Sequence, residues 1–130
     1  MMVRGICCLR AGVPDETDNI HIISIVGRYL EHSRIYIFGR GERARYYIGS
    51  ADWMTRSTLR RVEIAAPVTA PTLKARLQHI FNTMLADNSN ARVQQPDGNY
   101  VRRMPGADAV DCQAQFYEEA YQANVHSDLK

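Results

Sequence analysis

Short runs of hydrophobic and β-branched residues dominate the first half of the chain and predict strands. Val3–Leu9 is an apolar run that predicts a short buried strand, followed by a loop rich in glycine, proline and acidic residues. Ile20–Val26 alternates weakly and fits either a strand or a helical turn. Arg34–Phe38 and Tyr46–Ile48 predict a hairpin, because β-branched and aromatic residues flank a connection that contains glycine. Arg61–Ala66 is a further strand candidate, ended by prolines.

The second half of the chain changes to a helical spacing. Thr72–Leu85 places leucine, isoleucine and phenylalanine close to one face of a helix, and Pro71 suits the helix start. Ala91–Met104 carries a Gln-Pro-Asp-Gly turn between two valines and predicts a small hairpin. Asp111–Asn124 has an apolar side and predicts a closing helix. Together the patterns predict an α/β chain organised as one domain over residues 1–130.

Composition places the chain among ordinary soluble globular proteins, with 45% hydrophobic and 23% charged residues. No apolar run approaches the roughly 20 residues that a membrane-spanning helix needs. The sequence starts with MMVRGICCLR, which lacks the apolar stretch and the cleavage site of a signal peptide. We therefore expect a cytoplasmic protein without a membrane-spanning segment.

Arginine is concentrated in the middle of the chain, although the net charge is only +2. The stretch 28–63 holds eight arginines and four acidic residues. Because a guanidinium makes bidentate contacts to phosphate oxygens, this stretch suggests a polyanionic partner. A solvated hairpin edge that uses charge to prevent edge-to-edge pairing explains the same residues. Nucleic acid is not favoured, because aromatic residues are not interleaved with the arginines at a recognisable spacing.

The three cysteines, Cys7, Cys8 and Cys112, have neither the spacing of a zinc site nor that of a redox motif. Free cysteine in an apolar run behaves as a small hydrophobic residue, so we expect buried thiols. The sequence indicates no disulfide and no bound metal. It also shows no cluster of carboxylates suited to hold magnesium.

The candidate chemistry lies between Leu30 and Glu63. The runs LEHSRIYIF and YYIGSADWM place a histidine, an arginine two positions later and a Gly-Ser-Ala-Asp-Trp turn on strands that we expect to be adjacent. His32 is the only side chain of this segment that exchanges a proton near neutral pH. A transferred phosphoryl group carries negative charge on its oxygens, so cations and a proton donor suit it. The segment therefore predicts a phosphate-handling site.

Three blocks, VRGICCLRAGVPDETDNIHIISIVGRYLEHSRIYIF, YYIGSADWMTRSTLRRVEIAAPV and ADNSNARVQQPDGNYVR, closely resemble the C-terminal domain of long-type polyphosphate kinases. The resemblance runs from Val3 to about Tyr121. That family is similar to the phospholipase D superfamily, in which a His-x-Lys and a Gly-Ser-x-Asn element line a phosphate pocket between two half-domains. The resemblance implies a phospholipase D-like mixed sheet flanked by helices, N-terminally truncated by the first strand and helix of that domain.

The resemblance also implies an activity and its partners. The family transfers the terminal phosphoryl group of ATP reversibly to polyphosphate through a phosphohistidine, with magnesium accompanying the nucleotide. The nucleophilic histidine belongs to a preceding domain, and none of the four histidines of this chain lies in the corresponding block. We therefore expect the chain to bind ATP, ADP and polyphosphate, to need the preceding domains or self-association, and to be inactive alone.

Five residues are candidates for the site. Carried over from the resemblance, Arg4 of the Val-Arg-Gly block contacts nucleotide or phosphate, and His32 is the second active-site histidine. Arg34 adds positive charge where a phospholipase D has lysine, Ser50 donates a hydrogen bond to phosphate, and Glu63 orients a basic partner. His32 would donate a proton to the departing oxygen or bind the phosphoryl group, and general acid catalysis contributes about 100- to 10,000-fold.

Structural explanations compete for several of these residues. Arg4 would instead pair with Glu16 or Glu31 and hold the loop. The side chains of the Gly-Ser-Ala-Asp segment would simply form an Asx-type turn. Trp53 is expected in the core rather than stacked on a nucleotide. His21, His79 and His126 follow no pattern and are expected to be structural or on the surface, and His126 lies outside the side chains that the structure describes.

Two other functions stay open. The first is a phosphate- or polyphosphate-binding module whose arginine-rich strands hold a polyanion without chemistry. The second is a phospholipase D-like phosphodiesterase that completes its site in a symmetric dimer. Against the second, Arg34 stands where that superfamily has lysine, and Asp52 stands where it has asparagine.

Overall fold

The computed structural model describes residues 1–127, with side chains as far as Val125. Its strands are β1 (Ile23–Ile25), β2 (Ile35–Phe38), β3 (Arg45–Gly49), β4 (Ala65–Val68), β5 (Ala91–Gln94) and β6 (Tyr100–Arg102). Its helices are α1 (Thr55–Leu59), α2 (Pro71–Ala86) and α3 (Cys112–Ser127), and a single 3₁₀ turn spans Gly41–Arg43. No helix within residues 1–127 is long and apolar enough to cross a membrane.

The strands form two separate antiparallel sheets of three strands each, in the orders β1-β5-β6 and β2-β3-β4. The predicted α/β character is confirmed, and the strands of the expected mixed sheet pair as two antiparallel sheets instead. The chain divides accordingly into two compact units. We call Met1–Glu31 together with the chain from Thr83 onward the terminal unit, and His32–Asn82 the central unit.

The terminal unit contains the most deeply buried apolar residues of the described chain. Ile22, Ile23 and Ile25 on and beside β1 are buried together with Ala91 of β5. The predicted hairpin of β5 and β6 is confirmed, and its turn closes through a backbone hydrogen bond of 2.8 Å. Gly98 in that turn has a φ of 88°, a conformation that glycine adopts without steric cost.

A buried carboxylate organises the turn after α2. Asp87 is fully buried, and its Oδ1 accepts hydrogen bonds from the backbone N–H groups of Ser89, Asn90 and Ala91 at 3.1, 2.7 and 3.0 Å. Its Oδ2 accepts the N–H of Cys112, the first residue of α3, at 2.9 Å. Burial alone raises the pKa of the Asp87 carboxyl, but these hydrogen bonds outweigh it and hold the pKa below its usual value. One side chain thus ties α2, β5 and α3 together.

The central unit is the β2-β3-β4 sheet with α1 and most of α2. The hairpin of β2 and β3 is confirmed, with Tyr36 opposite Tyr47, and Tyr47 in turn lies opposite Pro67 of β4. Tyr46, on the other face of β3, donates a hydrogen bond of 2.7 Å from its hydroxyl to Oε1 of Gln78 on α2. The short helix α1 has no counterpart among the predicted elements, because five residues are too few to show a helical period.

Three expectations about local structure are wrong. Val3–Leu9 forms no strand: the described pairing there is one isolated bridge between Met2 and Ile23, and Ile6 is 83% exposed. The strand expected at Arg61–Ala66 lies later and includes a proline, which β4 tolerates because it is the edge of its sheet. Cys8 is exposed and Cys7 half-buried, so only Cys112 is the buried thiol that was expected.

Candidate functional site

The hairpin of β2 and β3 brings two parts of the predicted site together. Because the strands are antiparallel, the residues before β2 lie beside those that follow β3. The N–H of Gly49 donates to the carbonyl of Arg34 at 3.0 Å, which fixes this register. Position 49 favours glycine, since a Cβ there would lie 3.0 Å from the Tyr36 ring and 3.2 Å from the carbonyl oxygen of Ile64.

Asp52 links two arginines at this end of the hairpin. Its Oδ1 accepts from Nε and Nη2 of Arg34 at 3.1 and 2.6 Å, and its Oδ2 lies 3.5 Å from Nη2 of Arg56. The side chain of Arg34 is only 17% exposed, whereas that of Arg56 is 55% exposed. The hydrogen bond from Arg34 and the charges of both arginines lower the pKa of Asp52 despite some desolvation. Asp52 therefore stays an anion that holds Arg34 in one position.

His32 is exposed and contacts the same guanidinium. Nη1 of Arg34 lies 2.8 Å from Nδ1 and 3.3 Å from Nε2 of His32, and it donates to the carbonyl oxygen of His32 at 2.8 Å. One guanidinium nitrogen of Arg34 thus lies close to both ring nitrogens and to the carbonyl oxygen of His32, which holds the ring in position. We call His32, Arg34, Asp52 and Arg56 the His32 cluster.

Ser50 and Glu63 form a second pair in the central unit. The hydroxyl of Ser50 donates to the carboxylate of Glu63, and the N–H of Ile64 donates to the same hydroxyl oxygen at 3.0 Å. The N–H of Ser50 also donates to the carbonyl of Ile64 at 3.0 Å. The structure thus brings these two predicted site residues together, and the Ser50 proton is directed to Glu63. A phosphate oxygen that accepts this proton must replace the carboxylate.

Arg4 belongs to the terminal unit, whereas the other four predicted site residues lie in the central unit. Its side chain is exposed and follows Val3, whose N–H donates to the carbonyl of Ile23 at 2.9 Å. Among residues 1–127 it makes no ion pair with Glu16 or Glu31, the acids that the structural explanation requires. The Arg4 guanidinium is therefore available to an anion.

Sequence reasoning did not assign Asp52 its ionic role and expected Trp53 in the core. The carboxylate of Asp52 binds arginines rather than closing an Asx-type turn. The signal for it was the spacing of four residues between Asp52 and Arg56, which favours ion pairs at the start of a helix. Trp53 is 81% exposed, because it lies in the loop before α1, and the centroid of the Tyr36 ring lies 6.1 Å from that of its indole.

No group of three or more His, Cys, Asp or Glu side chains within the described residues is placed to hold a metal ion. The only acid of the His32 cluster, Asp52, is already paired with arginines. The side chains that the structure describes therefore do not fit a magnesium site of their own.

Comparison with known proteins identifies the family. The family profile described as "Polyphosphate kinase C-terminal domain 2" matches residues 1–115. The chain belongs to the polyphosphate kinase family. It is 54% identical over 107 residues to a polyphosphate kinase of Synechocystis, a match that covers 82% of this chain and 15% of the relative. It is 46% identical over 123 residues to that of Bacillus anthracis, covering 94% of this chain and 18% of the relative.

A solved structure shows the same fold. The crystal structure of polyphosphate kinase from Porphyromonas gingivalis is similar with a TM-score of 0.84 and 36% sequence identity, over 92% of this chain and 18% of that chain. The resemblance to polyphosphate kinases seen in the sequence is thereby confirmed. The chain spans less than a fifth of the length of these family members.

Proposed function

We propose that this chain is part of a polyphosphate kinase that transfers the terminal phosphoryl group of ATP reversibly to polyphosphate. In this proposal the chain supplies nucleotide- and phosphate-binding residues, and the preceding domains of the enzyme complete the site. The observation that carries the proposal is the His32 cluster, where an exposed imidazole contacts a guanidinium that a carboxylate holds in place. Because the chain belongs to the polyphosphate kinase family, phosphoryl transfer is the reaction that we assign to this geometry.

The charges of the His32 cluster suit phosphoryl transfer. Two arginines and one aspartate leave one net positive charge beside His32. In the proposal the His32 ring donates a hydrogen bond to a phosphoryl oxygen, while the Arg34 guanidinium holds the ring in position. Because Arg34 is neutralised by Asp52, it acts mainly as a positioning residue. Arg56 carries the charge of the cluster that is exposed to an anion, and Arg4 offers a separate exposed guanidinium in the terminal unit.

The remaining residues fill supporting roles in the proposal. Ser50 donates its hydroxyl proton to a phosphate oxygen once Glu63 releases it, and Glu63 then pairs with a basic group. Magnesium enters with the nucleotide, and the chain itself contributes no site for it. We also propose that the chain as a whole corresponds to one phospholipase D-like domain, located in the cytoplasm. The similarity of its fold to the Porphyromonas gingivalis enzyme over 92% of the chain supports the assignment to one domain.

A chimeric enzyme tests the proposal. This chain replaces the matching segment of the Bacillus anthracis polyphosphate kinase, and ATP-dependent polyphosphate synthesis is measured. We expect synthesis by the chimera, a loss of about 100- to 10,000-fold in His32→Ala, and retention in the matched control His21→Ala. His21 is an exposed histidine of the terminal unit. Equal rates for His32→Ala and His21→Ala would contradict the role of His32.

The same experiment separates the other functions. The 130-residue chain alone is assayed for synthesis, for binding of tripolyphosphate by calorimetry, and for cleavage of a phosphodiester without ATP. Binding without synthesis, in a chimera that also stays inactive, would favour the polyanion-binding module. Cleavage of the diester would favour the dimeric phosphodiesterase. Synthesis by the chain alone would overturn the expectation that the nucleophile lies in a preceding domain.

A further inference from the structure

Trp53 is an exposed aromatic residue that directly follows the carboxylate of the His32 cluster. It is the only tryptophan of the chain, and 81% of it is exposed. An indole is among the largest apolar surfaces that a side chain offers, and it usually gains from being covered. In the proposed function described so far this ring has no role, although its neighbour Asp52 binds two arginines.

The backbone around Trp53 is held in place. The hydroxyl of Tyr36 donates to the carbonyl of Ala51 at 2.9 Å, and the N–H of Met54 donates to the carbonyl of Asp52 at 2.8 Å. The Tyr36 ring lies 6.1 Å from the indole at an angle of 47°. The Tyr36 ring is therefore a neighbour of the indole, and most of the indole surface is open to a ligand.

Arg56 supplies a cation that contacts the residue next to Trp53. It lies in α1, three residues after Trp53, and its Nη2 is 3.5 Å from the carboxylate of Asp52, the residue next to Trp53. A guanidinium carries five N–H donors, and this long contact uses one of them. The side chain is 55% exposed, so its remaining donors are open to a phosphate.

We propose that Trp53 and Arg56 form a nucleotide subsite, in which Trp53 stacks on the base and Arg56 binds a phosphate oxygen of the same nucleoside di- or triphosphate. This deepens the proposed function and rests on it, because ATP and ADP carry an aromatic ring whereas polyphosphate does not. Stacking is tolerant of base identity, since every base has a π-face. The subsite therefore separates nucleotides from polyphosphate but does not separate adenine from guanine.

The single tryptophan makes the test direct. The 130-residue chain is titrated with ATP, GTP, adenosine and tripolyphosphate, and acrylamide quenching of Trp53 fluorescence is measured at each step. We expect ATP and GTP to shield the indole from acrylamide, and adenosine to do so at higher concentration. Tripolyphosphate, which lacks a ring, should bind and leave the quenching unchanged.

Calorimetry on variants gives a second readout. Because stacking on an aromatic side chain contributes roughly 1–3 kcal/mol per base, Trp53→Ala should weaken ATP binding by roughly 5- to 150-fold. It should leave tripolyphosphate binding unchanged, and Trp53→Phe should retain most of the ATP affinity. Arg56→Ala should weaken ATP and tripolyphosphate alike. The control is Tyr117→Ala, which removes an exposed aromatic residue of α3 in the terminal unit and should change neither ligand.

These titrations distinguish a failure of the Trp53 subsite from a failure of the proposed phosphate binding. If tripolyphosphate binds but saturating ATP does not shield Trp53, or if Trp53→Ala weakens both ligands equally, the subsite is refuted while the proposed phosphate binding stands. If neither ligand binds to the chain, both the subsite and the proposed binding of nucleotide and phosphate by this chain are overturned.

Discussion

Replacing the buried carboxylate of Asp87 should destabilise the terminal unit by an amount that depends on which hydrogen bonds survive. Four backbone N–H groups, those of Ser89, Asn90, Ala91 and Cys112, donate to this side chain at 2.7–3.1 Å. In Asp87→Ala all four lose their acceptor, and each buried donor left unsatisfied costs about 1–3 kcal/mol. Because water or small shifts satisfy some of them, we expect a loss of about 3–5 kcal/mol in the free energy of unfolding.

The isosteric variant Asp87→Asn separates the two carboxylate oxygens. Its amide oxygen can keep the three donors of the β5 turn, whereas its NH₂ group would face the N–H of Cys112, so one hydrogen bond is lost. The negative charge that strengthens the three remaining hydrogen bonds is lost as well. We therefore expect a loss of about 1.5–3 kcal/mol, smaller than that of the alanine variant.

Urea denaturation followed by circular dichroism measures these differences. Asp97→Asn is the matched control, because Asp97 also accepts a backbone N–H, from Asn99 at 2.9 Å, but in an exposed turn. It should cost no more than about 1 kcal/mol. A loss below about 1 kcal/mol for Asp87→Ala, or a larger loss for asparagine than for alanine, would refute the reasoning.

Three further predictions follow from the same structure. The pKa of the Asp87 carboxyl is lowered from 3.8 in the folded chain. Its contribution to stability is therefore present above that pH and is lost as the pH falls through the lower folded-state pKa. Acid titration followed by circular dichroism should show a shallower acid transition in Asp87→Asn. Gly49→Ala brings a Cβ within 3.0 Å of the Tyr36 ring and should cost about 1–3 kcal/mol in urea denaturation, whereas Gly106→Ala, with no atom within 4 Å, should cost less. In the chimera, Arg34→Lys should lower the rate of polyphosphate synthesis without abolishing it, because one ammonium cannot contact Asp52 and His32 at the same time. An unchanged rate would contradict the positioning role of Arg34.

Several elements could be predicted because their signals are local. The hairpins of β2-β3 and β5-β6 follow from β-branched runs around turn residues, and α2 follows from the apolar period over Thr72–Leu85. The failure at Val3–Leu9 has the opposite cause. An apolar run becomes a strand only where another strand offers it hydrogen bonds, and in the described structure the isolated bridge is made by Met2, just before this segment.

The candidate site divides in the same way. Because His32 and Arg34 are two residues apart, the sequence could place them together. The hairpin turn could likewise place the segment of Ser50 near them. The pairing of Ser50 with Glu63 and that of Arg34 with Asp52 join residues thirteen and eighteen positions apart, so they depend on how the strands pair. No pattern of neighbours predicts such contacts.

Contiguous residues carry the signals for the family, the two hairpins, the two long helices and the segment with the histidine and arginines, so these could be predicted from sequence. The folded chain was needed to show that the strands form two antiparallel sheets and that Asp52 neutralises Arg34. It was also needed to show that Trp53 lies exposed rather than in the core and that Asp87 ties three elements together. The physical reason is that burial and long-range hydrogen bonding depend on which segments meet in space, and local patterns of residues do not contain that information.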